Sequence, residues 1–291
     1  MMELPTSILI VIGAILVLGL LYLFMIMPRI WKKPEKSPHM GVLYAHRGLH
    51  DNDSDAPENS MAAFRKAVEA GYGIELDVQL TKDKIPVIFH DFTLDRICGV
   101  SGRVDAFTYA ELQQFTLLQS KERIPKLEDF LAMVAGKVPL IVELKVEWMD
   151  ISLCPVVQRL LSEYKGVYCI ESFNPLALLW YRRNYRQVMR GQLSTNFRRD
   201  GEYKNLFYFL LTHLLTNFVT SPDFIAYNCQ FKGEPGRIIC RKLYRSLAVA
   251  WTVKNQKQLE SLEKDFDLFI FDSFIPKDTK FSGKNNEKVG A

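Results

Sequence analysis

Between Ile8 and Met27 the chain carries no charged or strongly polar side chain. Such a run has about the 20 residues a helix needs to cross a hydrocarbon core. Beyond it, short buried-type runs alternate with amphipathic stretches. The apolar runs Val42–Ala45, Ile74–Val78, Val87–Phe89, Leu140–Leu144, Val167–Ile170, Val188–Leu193, Phe224–Tyr227, Ala248–Val253 and Leu268–Phe271 read as strands. Helices are expected at Glu58–Ala70, Leu127–Val134, Ile151–Tyr164, Pro175–Arg183, Pro235–Tyr244 and Gln256–Asp265. In the first of these, Met61, Phe64, Ala67 and Val68 recur at helical spacing and Gly71 ends the run. About eight main strands, most followed by a helix, predict an α/β chain folded as a (β/α)8 barrel rather than an open doubly wound sheet. The expected organisation is a transmembrane anchor over 1–28, a basic linker rich in proline and lysine over 29–40, a barrel over 41–280 and a polar tail over 281–291.

Composition narrows this further. The chain is 48% hydrophobic and 24% charged, which fits a globular core and excludes a disordered chain. A net charge of +4 leaves too small a basic footprint for a nucleic-acid partner. Five cysteines stand without CxxC or paired spacing, so they are expected as reduced, buried thiols and not as a zinc site. Ahead of the apolar run there is only Glu3; after it come Pro28, Arg29, Lys32, Lys33 and Lys36. A cleavable export signal would carry its positive charge before the run. The positive-inside rule therefore predicts a single-pass membrane protein with its N-terminus outside and the barrel cytoplasmic; the alternative is an export signal, cleaved or not, with the barrel outside.

The chemistry sits at strand ends. Ala-His46-Arg47-Gly48, Ile-Glu75-Leu-Asp77-Val, Phe-His90-Asp91 and Val-Glu143-Leu-Lys145 each place polar groups where a buried run stops. In a barrel the C-terminal strand ends form the active face. Side chains alternate along a strand, so Glu75 and Asp77 share one face, as do Glu143 and Lys145. Two carboxylates on one face of a buried strand repel and lose hydration, a cost that a cation relieves. Carboxylate oxygens without sulfur suit Mg2+ or Ca2+.

These segments resemble the glycerophosphodiester phosphodiesterase family. The matching text is Ala45-His46-Arg47-Gly48, Ala56-Pro57-Glu58-Asn59-Ser60, Ile74-Glu75-Leu76-Asp77-Val78, His90-Asp91, Leu94-Asp95-Arg96, Pro125-Lys126-Leu127, Glu143-Leu144-Lys145 and Trp251-Thr252-Val253, in order from about Tyr44 to Pro276. The resemblance implies a TIM barrel with a small insertion after the second strand, here roughly Arg96–Ile124. It implies hydrolysis of glycerophosphodiesters to glycerol 3-phosphate and an alcohol, with one divalent cation, Mg2+ or Ca2+. Glu75, Asp77 and Glu143 are then the metal ligands, His46 and His90 the general acid and base in an order left open, and Arg47 and Lys145 the phosphate contacts.

Other positions carry weaker signals. Glu58 and Asn59 read either as the start of a helix or as substrate contacts, and Asp91 as an orienting group or turn cap. Ser172, Phe173, Gln192 and Trp251 are expected to line the pocket, with Trp251 either a wall for the glycerol or headgroup or a buried core tryptophan. His39, His50 and His213 read as incidental. The last strand keeps Asp272 and Pro276, but Phe271 stands where the family tends to threonine and Lys254 where asparagine is common. The apolar segment Tyr203–Val219 reads either as a helix packed on the barrel or as a flap facing the membrane. Substrates in view are glycerophosphodiesters and lysophospholipids at a bilayer. The alternatives are a phospholipase D of the sphingomyelinase type on the same fold, and a catalytically idle, membrane-tethered lipid-binding barrel.

Overall fold

Nine strands form one sheet that closes on itself, seen in a computed structural model that describes residues 5–201 and 205–277. Tyr203, Lys204 and the expected tail at 281–291 lie outside the described residues. The strands are β1 (Leu43–His46), β2 (Gly73–Leu80), β3 (Pro86–Ile88), β4 (Leu140–Leu144), β5 (Tyr168–Ser172), β6 (Arg190–Ser194), β7 (Phe224–Asn228), β8 (Leu247–Val253) and β9 (Leu268–Phe271). All but β3 run parallel in the order β1-β2-β4-β5-β6-β7-β8-β9, and β9 pairs back with β1. This is the expected (β/α)8 barrel. The run at 86–88 is not one of its staves: β3 folds back antiparallel on the end of β2, with Val78 opposite Ile88 and Leu80 opposite Pro86. A three-residue strand can pair with its neighbour across a tight turn, whereas a parallel stave needs a crossover.

Alternation along these strands builds two cores. One face of each stave, with residues such as Leu76, Val142, Ile170 and Ile225, packs against the surrounding helices. The other fills the barrel with Tyr44, Ile141, Cys169, Phe224, Val249 and Ile270. Gly191 makes this filling possible, since a Cβ there would meet the Phe224 ring at 2.0 Å. A third cluster, Val87, Phe89, Leu94, Ile97, Val104, Leu112, Leu117 and Ile124, is the core of the insertion between β3 and the helix at Leu127–Val134. It begins before the expected Arg96, because β3 itself contributes Val87.

The helix at Met61–Glu69 starts later than the pattern suggested. Ser60 is its cap, its side chain accepting from the Ala63 amide, so Glu58 and Asn59 are freed from capping. Phe64 on this helix meets Phe130 of the 127–134 helix edge to face, ring centroids 4.6 Å apart, and both rings are fully buried.

The N-terminal helix spans Thr6–Met25, and almost all of it is exposed apolar surface. By length and composition it is able to cross a membrane. Its end is fixed to the barrel: Asn217 Nδ2 donates to the Ile26 carbonyl at 2.9 Å, and Phe24 packs on Phe218. The segment expected as a linker, 29–40, is packed as well. Arg29 donates its amide to the Pro222 carbonyl and its guanidinium to Asp223, and Lys33 reaches the carbonyls of Tyr244 and Arg245. These partners lie at the N-terminal ends of the staves. His39 is buried there, 2.7 Å from the Tyr44 hydroxyl, and Met40 packs into the barrel interior, so residues 37–40 close the bottom of the barrel. The prolines of this stretch stiffen it, so the expected linker runs as a packed strap.

Replacing Phe64 by alanine should lower the unfolding free energy by about 3–5 kcal/mol, read as a lower denaturant midpoint at unchanged slope. Burial pushes the His39 imidazole down to about 4. Its folded pKa is below the unfolded value, so the folded chain takes up the proton later and stability falls as pH drops from about 6.5 toward 4. His39→Asn should flatten that part of the stability profile, by up to about 1.4 kcal/mol per pH unit.

Candidate active site

The C-terminal ends of β1, β2 and β4 bring the expected residues together. Glu75, Asp77 and Glu143 are buried, and one oxygen from each lies within 4.8 Å of the others. Their positions follow from register. Glu75 is opposite His46 of β1, and Asp77 opposite Glu143 of β4. In a parallel pair such partners share a face, here the barrel interior.

Cations border the three carboxylates. Lys145 Nζ stands 2.9 Å from Glu143 and 3.5 Å from Asp77. Arg47 donates its amide to Glu75 at 3.1 Å, its Nη1 to Glu58 at 2.6 Å, and holds Nε 3.4 Å from Asp77. This reach depends on backbone shape. Arg47 and Gly48 both take left-handed conformations, φ 55° and 85°, and a Cβ on Gly48 would press on the helix at Ala63. Asn59, itself at φ 56°, donates to Asp77 at 2.9 Å. Glu58 holds Arg47 and Arg96 together; burial opposes its charge, yet the two arginines keep it down at about 2.

Charge is unevenly shared. Burial first, then Asp77, Glu143 and Glu171, push Glu75 well above the usual carboxylate range, against Arg47. Asp77 is equally buried, but His90, Lys145, Arg47 and the Asn59 amide hold it well below that range. Burial raises Glu143 despite Lys145. Three oxygen donors that cannot all be comfortably ionised make a set that fits a hard cation, which would remove the mutual repulsion.

Each histidine leans on a carboxylate. His46 Nδ1 is 3.2 Å from Asp272 Oδ2, which leaves Nε2 turned toward Glu75 at 3.9 Å. His90 Nδ1 is 2.6 Å from Asp91, whose other oxygen binds Arg96. Asp91 thus orients its neighbour, as one of its two expected roles required. Burial, with Arg47 adjacent, lowers His46 to about 4 against the pull of Asp272.

Several expectations change. His50 is not incidental: it contacts the His46 carbonyl at 3.0 Å and approaches Asp272 to 3.5 Å. Ser172 and Gln192 do not line the mouth. They sit on the outer face of their strands, where Ser172 binds the Leu144 carbonyl and Gln192 ties the 172–173 backbone. Phe173 and Trp251 do face inward and pack edge to face at 5.6 Å. Lys254 donates to Asp272, so the departure from asparagine adds a cation behind His46. Sequence reasoning missed Glu171, a buried carboxylate opposite Glu143 with Oε2 unpartnered, raised well above its usual range by burial, Glu143 and Asp77. Its signal was there, since Cys169-Ile-Glu171 repeats the alternation of the strands beside it. A separate cleft of about 300 Å3, lined by Met61, Arg65, Tyr109 and Gln113, shares none of these residues.

Known proteins carry the same arrangement of sequence and fold. The chain matches the glycerophosphoryl diester phosphodiesterase family over residues 46–272. It is 30% identical over 262 residues to YhdW of Bacillus subtilis, a protein assigned by name to the glycerophosphodiester phosphodiesterases, covering 82% of this chain and 98% of that one. A glycerophosphodiester phosphodiesterase of Caldanaerobacter subterraneus is 41% identical over 103 residues, 33% of this chain and 41% of its own length. Among solved structures, a phosphodiesterase of Oleispira antarctica, in complex with the product sn-glycerol 3-phosphate, superposes with a TM-score of 0.65 at 23% identity, over 80% of this chain and 93% of that one. A glycerophosphodiester phosphodiesterase of Thermotoga maritima superposes at 0.61 with 22% identity, over 79% and 94%. With the matched span running from His46 to Asp272, the first and last side chains of the site, the chain belongs to the glycerophosphoryl diester phosphodiesterase family.

Proposed function

We propose that this enzyme hydrolyses glycerophosphodiesters to glycerol 3-phosphate and an alcohol, with lysophospholipids as further substrates, from a membrane-anchored barrel. The observation that carries it is the buried carboxylate triad Glu75, Asp77 and Glu143 flanked by two carboxylate-paired imidazoles. A Mg2+ or Ca2+ ion held by the triad would supply charge neutralisation at a phosphoryl oxygen. Arg47, through its planar fork, and Lys145, as a point charge, bind the phosphate. Phosphoryl transfer relies on such positioning and neutralisation more than on covalent chemistry. With Nδ1 engaged by Asp272 and Asp91, His46 and His90 each keep Nε2 for proton transfer. One takes the proton of the attacking oxygen, and the other gives a proton to the departing alkoxide. Trp251 walls the mouth on the far side of the barrel. The catalytic unit is residues 41–280. The helix at Thr6–Met25 is its single-pass anchor, and Arg29, Lys32, Lys33 and Lys36 favour a cytoplasmic catalytic domain.

Two measurements test this. Release of glycerol 3-phosphate from glycerophosphocholine should stop on chelation and return with added Mg2+ or Ca2+. His46→Ala and His90→Ala should each lower kcat roughly 10²–10⁴-fold; turnover indifferent to chelator and to both substitutions would refute the mechanism. Independently of turnover, added divalent cation should raise the Tm of the wild-type enzyme, as binding to the folded state alone requires. Glu75→Gln should abolish that rise, and an equal rise in the variant would remove Glu75 from the ligand set.

A further inference from the structure

The N-terminal helix meets the barrel only at its C-terminal end, and the contacts there fix the direction in which the rest projects. The helix at Pro235–Lys242 follows β7 and so descends from the active face toward the bottom. The Tyr22 hydroxyl comes beside Gly236 in the first turn of that helix, the Ile26 carbonyl accepts from Cys240 Sγ, 3.3 Å away, four residues further down, and the Tyr244 side chain, from beyond the helix end, donates its hydroxyl to the Leu23 carbonyl at 2.9 Å. Arg29 then binds Pro222 and Arg186 at the base. Contacts with the neighbouring connection descend in the same order. The Tyr22 hydroxyl lies close to Gly236 where the His213 carbonyl also packs, Phe24 meets Phe218, and Arg29 meets Pro222. The chain therefore runs down the barrel wall, and residues 6–21 continue upward past the active face. At 1.5 Å per residue that is roughly 24 Å of exposed apolar helix, short of a hydrocarbon core of about 30 Å, so a span that begins at Tyr22 draws the active face down into the interface.

The active face has a matching apolar rim. Trp148 and Met149, in the connection after β4, are 86% and 81% exposed. Leu206, Phe207 and Phe209, in the connection after β6, are exposed as well, Leu206 to 73%, as is Ile275 after β9. All six follow C-terminal strand ends. From the rim an aromatic file leads inward: Phe207 meets Tyr208, Tyr208 meets Phe197, Phe197 meets Phe173, and Phe173 meets Trp251 in the mouth, with successive centroids 5.0–5.9 Å apart. Exposed large apolar residues grouped on one face mark an interaction surface.

We infer that this rim is a bilayer-contact surface, set against the headgroup and upper acyl region by the docked helix, so that the catalytic mouth opens onto the membrane that the helix spans. The partner is the lipid surface itself. The rim residues are three aromatics, two aliphatics and a methionine, side chains suited to that interface. The aromatic file gives a diester with an acyl chain an apolar route from that surface to the phosphate site. This inference rests on the anchored reading above and extends it from a tether to an orientation.

The full-length protein is inserted into phosphatidylcholine vesicles containing brominated phosphatidylcholine, and quenching of tryptophan emission is measured. Trp148→Phe should remove at least half of the quenching, while Trp31→Phe, at the base, should leave it nearly unchanged. Adding Phe209→Trp to the Trp148→Phe protein should restore it. Hydrolysis of glycerophosphocholine in solution by each variant shows that the barrel has folded. Quenching that survives Trp148→Phe, is lost with Trp31→Phe, or fails to return with Phe209→Trp overturns the orientation. Flotation with the vesicles reports on the anchor separately. A protein that floats but fails the quenching comparison loses only the orientation, whereas one that does not float loses the anchored reading and this inference with it.

Discussion

Mutual repulsion of buried carboxylates is the constraint around which this structure is arranged. Glu75, Asp77, Glu143 and Glu171 converge inside the mouth of the barrel, where water cannot screen them. Three neighbouring elements answer that charge. β1 ends in a left-handed turn that delivers the Arg47 amide and guanidinium. Lys145 follows directly on β4, two residues after Glu143. The loop before the 61–69 helix gives Asn59 to Asp77, with Ser60 taking over the cap so that Asn59 is free to do so. Of the four, Asp77 is held below the usual carboxylate range by its cations, while burial and mutual repulsion push Glu75, Glu143 and Glu171 above it. The arrangement is poised to receive positive charge at one point.

A second ring of contacts converts that point into a geometry. Asp272 and Asp91 each fix one imidazole by Nδ1, and each is tied to a cation of its own, Lys254 and Arg96. Arg96 also grips Glu58, which grips Arg47, so the insertion after β3 is linked through three side chains to the carboxylate cluster. The insertion is thus part of the site's support, with its own small apolar core holding Arg96 in place.

What could be read from the sequence followed from local periodicity. Eight staves, the helix at Leu127–Val134 and the strand-end set at His46, Arg47, Glu75, Asp77, His90, Glu143 and Lys145 all declare themselves within a few residues. What stayed hidden depends on contacts between distant positions. Nothing near Asp272 shows that it faces His46, 226 residues earlier, and nothing near His50 shows that it joins them. Ser172 and Gln192 misled because a strand end looks the same from either face until the register is known. The packing of the 29–40 linker was equally hidden, since the carbonyl partners of Arg29 and Lys33 at Pro222, Tyr244 and Arg245 lie about two hundred residues away.

The closed base of the barrel has a consequence for traffic. Tyr44, Ile141, Cys169 and Phe224 fill the interior beneath the carboxylates, and residues 37–40 cover what remains. The reaction chamber is a blind well, not a tunnel. Water, substrate and both products must use one opening, so a turnover cannot begin until the previous phosphate has left by the path it came in. Product departure and substrate entry compete for the same doorway, and whichever fragment lingers longer in the well sets how often that doorway is free.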